Sequence, residues 1–267
     1  MPRQAFAGTV PGTRGLANGL VPSTGPTLRK AFSTPDPDFY VFEDFRYGFS
    51  FQEIAGTAGQ TTDPINAAPW RMFSVDGGGD NAHTCLLLDN QTTAQLYTAT
   101  TDADNDENAF QYAYEPLTGD GRWAAEAKLK VNDADTCALF FGFHNYKAAG
   151  TIAQTAALGG AVSGFHVADG ASSVAIVATS DNGTKTDTSL SGTTGGSLAD
   201  DTFVTLSLYH DSINGTKFYV NGALAATHTA GQSTLGGLYA APTLCLANAS
   251  AAASNMTVEH MGFWIEG

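Results

Sequence analysis

Residues 202–229, TFVTLSLYHDSINGTKFYVNGALAATHT, decide the fold class. They read as three consecutive β-strands joined by tight turns. The last turn is Asn221-Gly222, preceded by Phe218-Tyr219-Val220 and followed by a strand of alternating apolar residues. Asn-Gly is the strongest short-range hairpin signal, because a type I′ turn needs φ > 0 at both central residues.

The same signals continue outward. Phe39, Val41, Phe42 and Phe45 open an aromatic strand, followed by Phe49 and Phe51, and 53–68 is expected to be loop. Short apolar segments follow near 69–75, 83–88, 94–99 and 109–114. From Trp123 to Val131 the alternation is cleanest. Trp123, Ala125, Ala127, Leu129 and Val131 face one way and Glu126, Lys128 and Lys130 the other, the pattern of a half-buried antiparallel strand. CALFFGF at 137–143 is apolar on both faces and reads as a central strand. Further strands are expected near 162–168, 173–179, 184–190, 203–210, 215–220, 223–228 and 242–247. A last one near 256–266 has Met261, Phe263 and Ile265 on one face. Fourteen or more short strands with frequent turn signals predict an all-β, two-sheet antiparallel sandwich. The Ala/Gly-rich loop at 148–161 has room for a helical turn.

Composition agrees. A chain of 267 residues buries a full core, and only 14% of it is charged. Asp outnumbers Glu by 19 to 7, which favours turns over helices. The net charge of −14 is unevenly placed. Residues 1–35 carry Arg3, Arg14, Arg29 and Lys30 and no acid, so this segment is +4 and the remainder −18. The acidic body argues against direct nucleic-acid or anionic-membrane binding. The basic segment, with Pro at 2, 11, 22, 26 and 35 and no periodicity, reads as an extended N-terminal arm over 1–35 on a sandwich over 36–267. Phe6, Leu16, Leu20, Val21 and Phe32 are spaced along it as apolar anchors.

Cys85, Cys137 and Cys245 have no metal spacing and are expected as buried free thiols, formed in a reducing compartment. No secretory signal or stretch of about 20 apolar residues appears. Sequons at Asn90, Asn182, Asn214, Asn248 and Asn255 are therefore read as turn asparagines beside strand threonines.

From residue 39 onward the segment order resembles the concanavalin A-like (laminin-G-like) jelly roll. FEDF (42–45) opens it, RWAAEAKLKV (122–131) leads into CALFFGFHN (137–145), GFHVADG (164–170) into the YVNG hairpin, and MTVEHMGFWIEG (256–267) closes it. YTATTDADNDENAFQYAYEPLTGDGRWAAEAKLKV (97–131), followed by Asp133-x-x-x-CALFFGF, is similar to a group of tailed-bacteriophage virion proteins with N-terminal arms. That resemblance implies a capsid decoration (cement) or minor head protein. It would be made in the host cytoplasm and sit on the virion capsid surface. Its partners would be the major capsid protein and its own copies, with a homotrimer expected first and a dimer second. Arg3, Phe6, Arg14, Leu16, Leu20, Arg29, Lys30 and Phe32 would then be the arm's partner-binding residues.

Catalytic patterns are missing. Glycosidases of this fold carry Glu-x-Asp-x-Glu on one strand, and this chain has no Glu-x-Asp. It has no Gly-x-Ser-x-Gly, P-loop or His-Glu-x-x-His either. His83, His144, His166, His210, His228 and His260 are scattered and read as ordinary hydrogen-bonded histidines. Asp102, Asp104 and Asp106 start like an EF-hand loop, but its sixth position is Glu107 and its twelfth Ala113, so the pattern fails. A surface Ca²⁺ turn is the weak candidate there, and a solvated acidic turn the preferred reading. No cofactor and no enzymatic activity are expected. The alternative function is a carbohydrate- or receptor-binding jelly-roll module, with Trp70, Tyr97, Tyr112, Tyr114 and Tyr146 as available aromatics.

Overall fold

A computed structural model describes residues 39–45, 51–55, 70–75, 84–89, 94–100, 106–112, 117–118, 121–145, 162–168, 174–181, 183–233, 239–250 and 252–266. The arm 1–35, the loop 148–161 and most of 53–68 lie outside them. Among the described residues the elements are nearly all β. They comprise β1 (Phe39–Glu43), β2 (Phe51–Ala55), β3 (Trp70–Val75), β4 (Thr84–Asp89), β5 (Ala94–Ala99), β6 (Glu107–Tyr112) and β7 (Leu117–Thr118). The central and later strands are β8 (Arg122–Val131), β9 (Cys137–His144), β10 (Val162–Val167), β11 (Val177–Asp181), β12 (Lys185–Ser189), β13 (Val204–Asp211), β14 (Gly215–Val220), β15 (Ala223–His228), β16 (Tyr239–Asn248) and β17 (Asn255–Glu266). A single-turn helix, α1 (Ala230–Ser233), is capped by Thr229, whose backbone N–H and hydroxyl both donate to Gln232 Oε1 at 2.9 Å.

The strands form two sheets. Sheet A runs β15-β14-β13-β8-β17-β5-β4, with β1 pairing β17 beyond the end of β5. Sheet B runs β12-β11-β10-β9-β16-β6-β3-β2, with β7 against β16. This is the two-sheet sandwich that the strand spacing predicts, in the jelly-roll form that the resemblance implies. Consecutive β8 and β9 lie in different sheets, as do β16 and β17, so the chain stitches the layers together at the centre.

One pair departs from the antiparallel expectation. β2 pairs β3 in parallel, Phe51 opposite Trp70 and Ala55 opposite Ser74. A parallel pair needs a connection of a dozen or more residues, and fourteen residues separate β2 from β3 in the sequence. Residues 53–55, expected in loop, belong to β2, and the expected strand near 173–179 starts only at Val177.

The core lies between the sheets. β8 contributes Trp123, Ala125, Ala127, Leu129 and Val131, the alternating set read from the sequence, facing Leu139, Phe141 and Phe143 of β9 and Leu244 and Leu246 of β16. Phe263 packs on Phe141 and Phe143, each with ring centroids 5.4 Å away. Fully burying such side chains contributes about 1.5–3 kcal/mol apiece.

Polar contacts close the sandwich between the sheets. Asn108 Nδ2 donates to Thr98 Oγ1 (3.0 Å) and to the Ala99 carbonyl (2.8 Å) at one end. At the β15 and β12 edge, His228 lies 2.9 Å from Ser180 Oγ through Nδ1 and 3.1 Å from Thr188 Oγ1 through Nε2. Burial pushes the His228 imidazole below its ordinary range. On the inner face of β1, Glu43 Oε1 accepts the Trp70 indole N–H at 3.1 Å, and burial raises this carboxyl to about 7. The indole bond partly opposes that rise, and Asp44 adds to it.

The Asn221-Gly222 turn has the dihedrals its sequence demands, φ 48° and 80°. Asn221 also bonds in both directions to Thr205, its N–H donating to the carbonyl (2.8 Å) and its Oδ1 accepting the Thr205 N–H (2.9 Å). Asn221→Ala loses the side-chain bond and places a residue with no αL preference at positive φ. It is expected to cost about 2 kcal/mol in urea unfolding, and an unchanged midpoint would show that the turn does not hold the meander. Glu43 yields a pH signature. The folded carboxyl keeps its proton up to about pH 7, the unfolded one only to about 4.5. The folded state therefore binds more protons across that window, and its stability falls as pH rises through it. Glu43→Gln, which keeps the oxygen for Trp70, is expected to gain about 3 kcal/mol more over wild type at pH 8 than at pH 4. A pH-independent difference between the two proteins would contradict the assignment.

Candidate functional site

The arm residues Arg3, Phe6, Arg14, Leu16, Leu20, Arg29, Lys30 and Phe32 lie outside the described residues, as do Asp102, Asp104, Tyr114, Tyr146 and His83. Asp106 is described and is fully buried at the mouth of β6, where its carbonyl accepts the Asn248 N–H at 2.8 Å. That corrects the solvated-turn reading for this residue: pairing of β6 with β16 draws it inside. Among the described residues no three His, Cys, Asp or Glu side chains cluster as a metal site, and no helix is long and apolar enough to cross a membrane. Cys137 and Cys245 are buried free thiols, and burial reinforced by Asp133 and Asp200 pushes Cys137 up to about 12, far from a nucleophile's range. Trp70 is buried in the core with Tyr112 edge-on at 5.4 Å, so neither forms an open aromatic platform.

A different group of residues comes together on the outer face of sheet A, and a β-bulge creates it. In β17, Met256 and Val258 face the core, and then Met261, Phe263 and Ile265 do. The parity changes between Val258 and His260, where the register against β8 shifts and the extra residue is Glu259. Lys128 Nζ holds that residue by an ion pair at 2.6 Å while lying 5.2 Å from the centre of the Phe203 ring. A bulge bends its strand and re-aims the side chains beyond it. Here it turns His260, Gly262 and Trp264 outward beside Glu126 of β8.

The registers give the arrangement. Phe42, Gly262, Glu126, Ser207, Tyr219 and Leu224 form one row across β1, β17, β8, β13, β14 and β15. In the next row Trp264 lies beside Ala124 and Tyr209. Glu126 was expected on a solvent face between lysines, yet it is 0% exposed, with Trp264 at 1% and His260 at 7%. Ser207 Oγ donates to Glu126 Oε2 at 2.8 Å. His260 Nε2 stands 3.5 Å from Glu126 Oε1, too far for a full hydrogen bond, and the Phe42 ring tilts against the imidazole at 6.1 Å. Glu126 Oε1, His260 Nε2 and Trp264 Nε1 are all buried without a hydrogen-bond partner. Gly262 has no side chain, and the His260 imidazole stands between Phe42 and Glu126.

The outer face of sheet B differs. Ala109, Ala138, Phe140, Val162, Cys245 and Ala247 form a second buried apolar cluster there. Two of its polar side chains are satisfied by the chain itself, whereas His166 Nε2, opposite Phe140 on the same face, is buried without a hydrogen bond. Gln111 Nε2 donates to Thr243 Oγ1 (3.0 Å) and to the Asn145 carbonyl (3.2 Å), and His144 Nδ1 lies 2.9 Å from the same carbonyl.

No protein-family model and no curated protein matches this chain. Solved structures share its architecture. A protein of unknown function from Shewanella oneidensis MR-1 superposes with a TM-score of 0.54 at 11% identity, over 85% of this chain and 86% of that one. That likeness establishes a common fold and nothing more. The carbohydrate recognition domain of Emp46p gives 0.46 at 10% identity over 74% and 89% of the two chains. A botulinum neurotoxin type C structure, from work on its interaction with two ganglioside molecules, gives 0.46 at 10% over 68% of this chain. This chain spans 42% of the length of that toxin chain.

Incompletely partnered buried carboxylates cost stability, and residues kept at such a cost mark functional positions. Glu126→Gln replaces the carboxyl with an amide that can donate to His260 Nε2. Its chemical-denaturation stability is expected to rise by about 1 kcal/mol. A marked loss would identify Glu126 as a structural anchor instead.

Proposed function

We propose that this chain is a non-catalytic carbohydrate-binding jelly-roll module whose ligand face is the outer face of sheet A. The observation that carries the reading is the set of three buried, unpartnered polar atoms, on Glu126, His260 and Trp264, among the rings of Phe42, Trp264 and Tyr209. Small-molecule sites combine aromatic lining with a few placed polar groups. Sugars match that combination, because each ring has an apolar C–H face and a rim of hydroxyls that both donate and accept. No second carboxylate accompanies Glu126 as an acid–base partner among the described residues of this face. Glu259, the nearest other acid in register, is tied to Lys128. Native affinity electrophoresis through gels containing single polysaccharides tests the reading. Retardation by at least one of them is expected, and unchanged mobility across a broad neutral and acidic panel would overturn it.

A second reading is a phage capsid decoration protein, bound to the major capsid protein as a homo-oligomer. The similarity of residues 97–143 to virion proteins favours it, as does the contrast between the +4 arm and the −18 body. In that reading the protein co-sediments with capsids, and removing residues 1–35 weakens the association. Failure to associate at low or moderate salt would exclude it.

A further inference from the structure

We infer that His228 is an acid-sensitive latch: its neutral imidazole holds the two edge strands of the sandwich together, and its protonation releases β15 and α1 from sheet B. The latch lies where both sheets end. On this side β15 is the last strand of sheet A and β12 the last strand of sheet B. The imidazole reaches from β15 to β11 and β12, 2.9 Å from Ser180 Oγ through Nδ1 and 3.1 Å from Thr188 Oγ1 through Nε2. One residue later the chain turns into α1, which packs against β14, β11 and β12 and so leans on the same edge. Ser233 Oγ of α1 accepts the Thr216 N–H at 3.1 Å, and Thr216 lies opposite His228 in the sheet.

The surroundings suit the neutral ring. A neutral imidazole has one N–H to give and one lone pair to fill, and a hydroxyl can take either role. Two hydroxyls therefore satisfy it in either tautomer. An imidazolium has two N–H groups, so both hydroxyls must accept, and the hydroxyl hydrogen that filled the lone pair must turn away. The charge would also lie between the sheets, where His228 is 1% exposed and Ser180 0%. The Phe218 ring stands 4.9 Å from the imidazole and meets Phe165 of sheet B edge-on at 5.4 Å, which closes the inner side. Burying a charge costs far more than burying a hydrogen-bonded neutral group.

Nearby charges offset little of that cost. β15 and α1 contain no Asp, Glu, Lys or Arg. On β14, Lys217 pairs with Thr227 on the outer face. On β11, Asp181 accepts the Gly183 N–H at 2.7 Å. On β12, Asp187 favours the imidazolium, yet it is engaged by Lys185 at 2.9 Å and by the Thr179 hydroxyl at 2.7 Å. His210 of β13 shares the inner row with His228 through Thr216, whose hydroxyl lies 2.9 Å from His210 Nδ1. Burial outweighs Asp187 and holds the His228 imidazole below its ordinary value of 6.5. The released ring therefore binds a proton more readily than the latched one. The latch is at full strength above pH 6.5 and weakens as pH falls below it.

Native-state hydrogen exchange on the full chain, corrected for intrinsic rates, tests the latch at about pH 7.5 and about pH 5. On acidification the amides of 185–189 and 223–233 are expected to lose protection several-fold, while those of 122–131 and 137–144 at the centre of the sheets keep theirs. His228→Gln keeps a donor and an acceptor but takes up no proton, so its edge should be equally protected at both pH values. Should that variant leave the edge open throughout, the wild-type ring decides. Its imidazole resonances are expected to titrate below an exposed histidine, with edge protection falling until that titration is complete. Four results overturn the latch: edge protection in wild type that ignores pH, the same acid loss in His228→Gln, an equal loss over the central strands, or a His228 ring that titrates at or above the ordinary range.

Discussion

The extra residue in β17 sets what each face of this protein can do. Without the bulge at Glu259, a strand that turns Met256 and Val258 into the core would also turn His260, Gly262 and Trp264 into it, and would turn Met261, Phe263 and Ile265 to the outer face. A one-residue slip in a strand exchanges its two faces completely. The bulge accommodates that slip inside a single strand. The core keeps its apolar set on both sides of it, and the outer face receives a histidine, a glycine and a tryptophan beside the central glutamate of β8. The Lys128–Glu259 ion pair at 2.6 Å pins the extra residue where the parity changes.

Both outer faces carry buried polar groups, and a buried ring nitrogen without a hydrogen bond occurs on each, His166 Nε2 on sheet B and His260 Nε2 on sheet A. On sheet B, Gln111 and His144 find the Asn145 carbonyl, and Gln111 also finds the Thr243 hydroxyl. On sheet A, Glu126 has one short bond and one long contact, and Trp264 Nε1 has none. The first arrangement is what folding alone favours. The second persists against a desolvation penalty of about 1–3 kcal/mol per unpaired group, and three such atoms gathered on sheet A support the proposal that its outer face binds the ligand.

Much of the architecture was legible in the sequence because sheets obey a period of two. The Asn221-Gly222 turn, the alternating Trp123–Val131 strand and the doubly apolar 137–143 strand all lie where the pattern puts them. The parallel β2–β3 pair was not legible, since short apolar runs do not state the direction of their partner. The site was less legible still. Glu126 alternates with lysines and so reads as solvent-facing, and nothing local shows that Ser207, eighty-one residues away, will bond to it in a buried face. One signal was present in 256–266. Apolar residues fall on even positions to Val258 and on odd positions from Met261, which marks a bulge between them and sends His260 and Trp264 outward. Trp70 and Tyr112 fit strand patterns in the sequence and pack on one another in and against the core.

A crystal structure of the chain with a bound neutral oligosaccharide tests the central claim most directly. The account predicts a sugar on the outer face of sheet A, with hydroxyls on Glu126 Oε1 and Trp264 Nε1. A sugar seated on the outer face of sheet B or on the edge strands, with the outer face of sheet A unchanged, would contradict it.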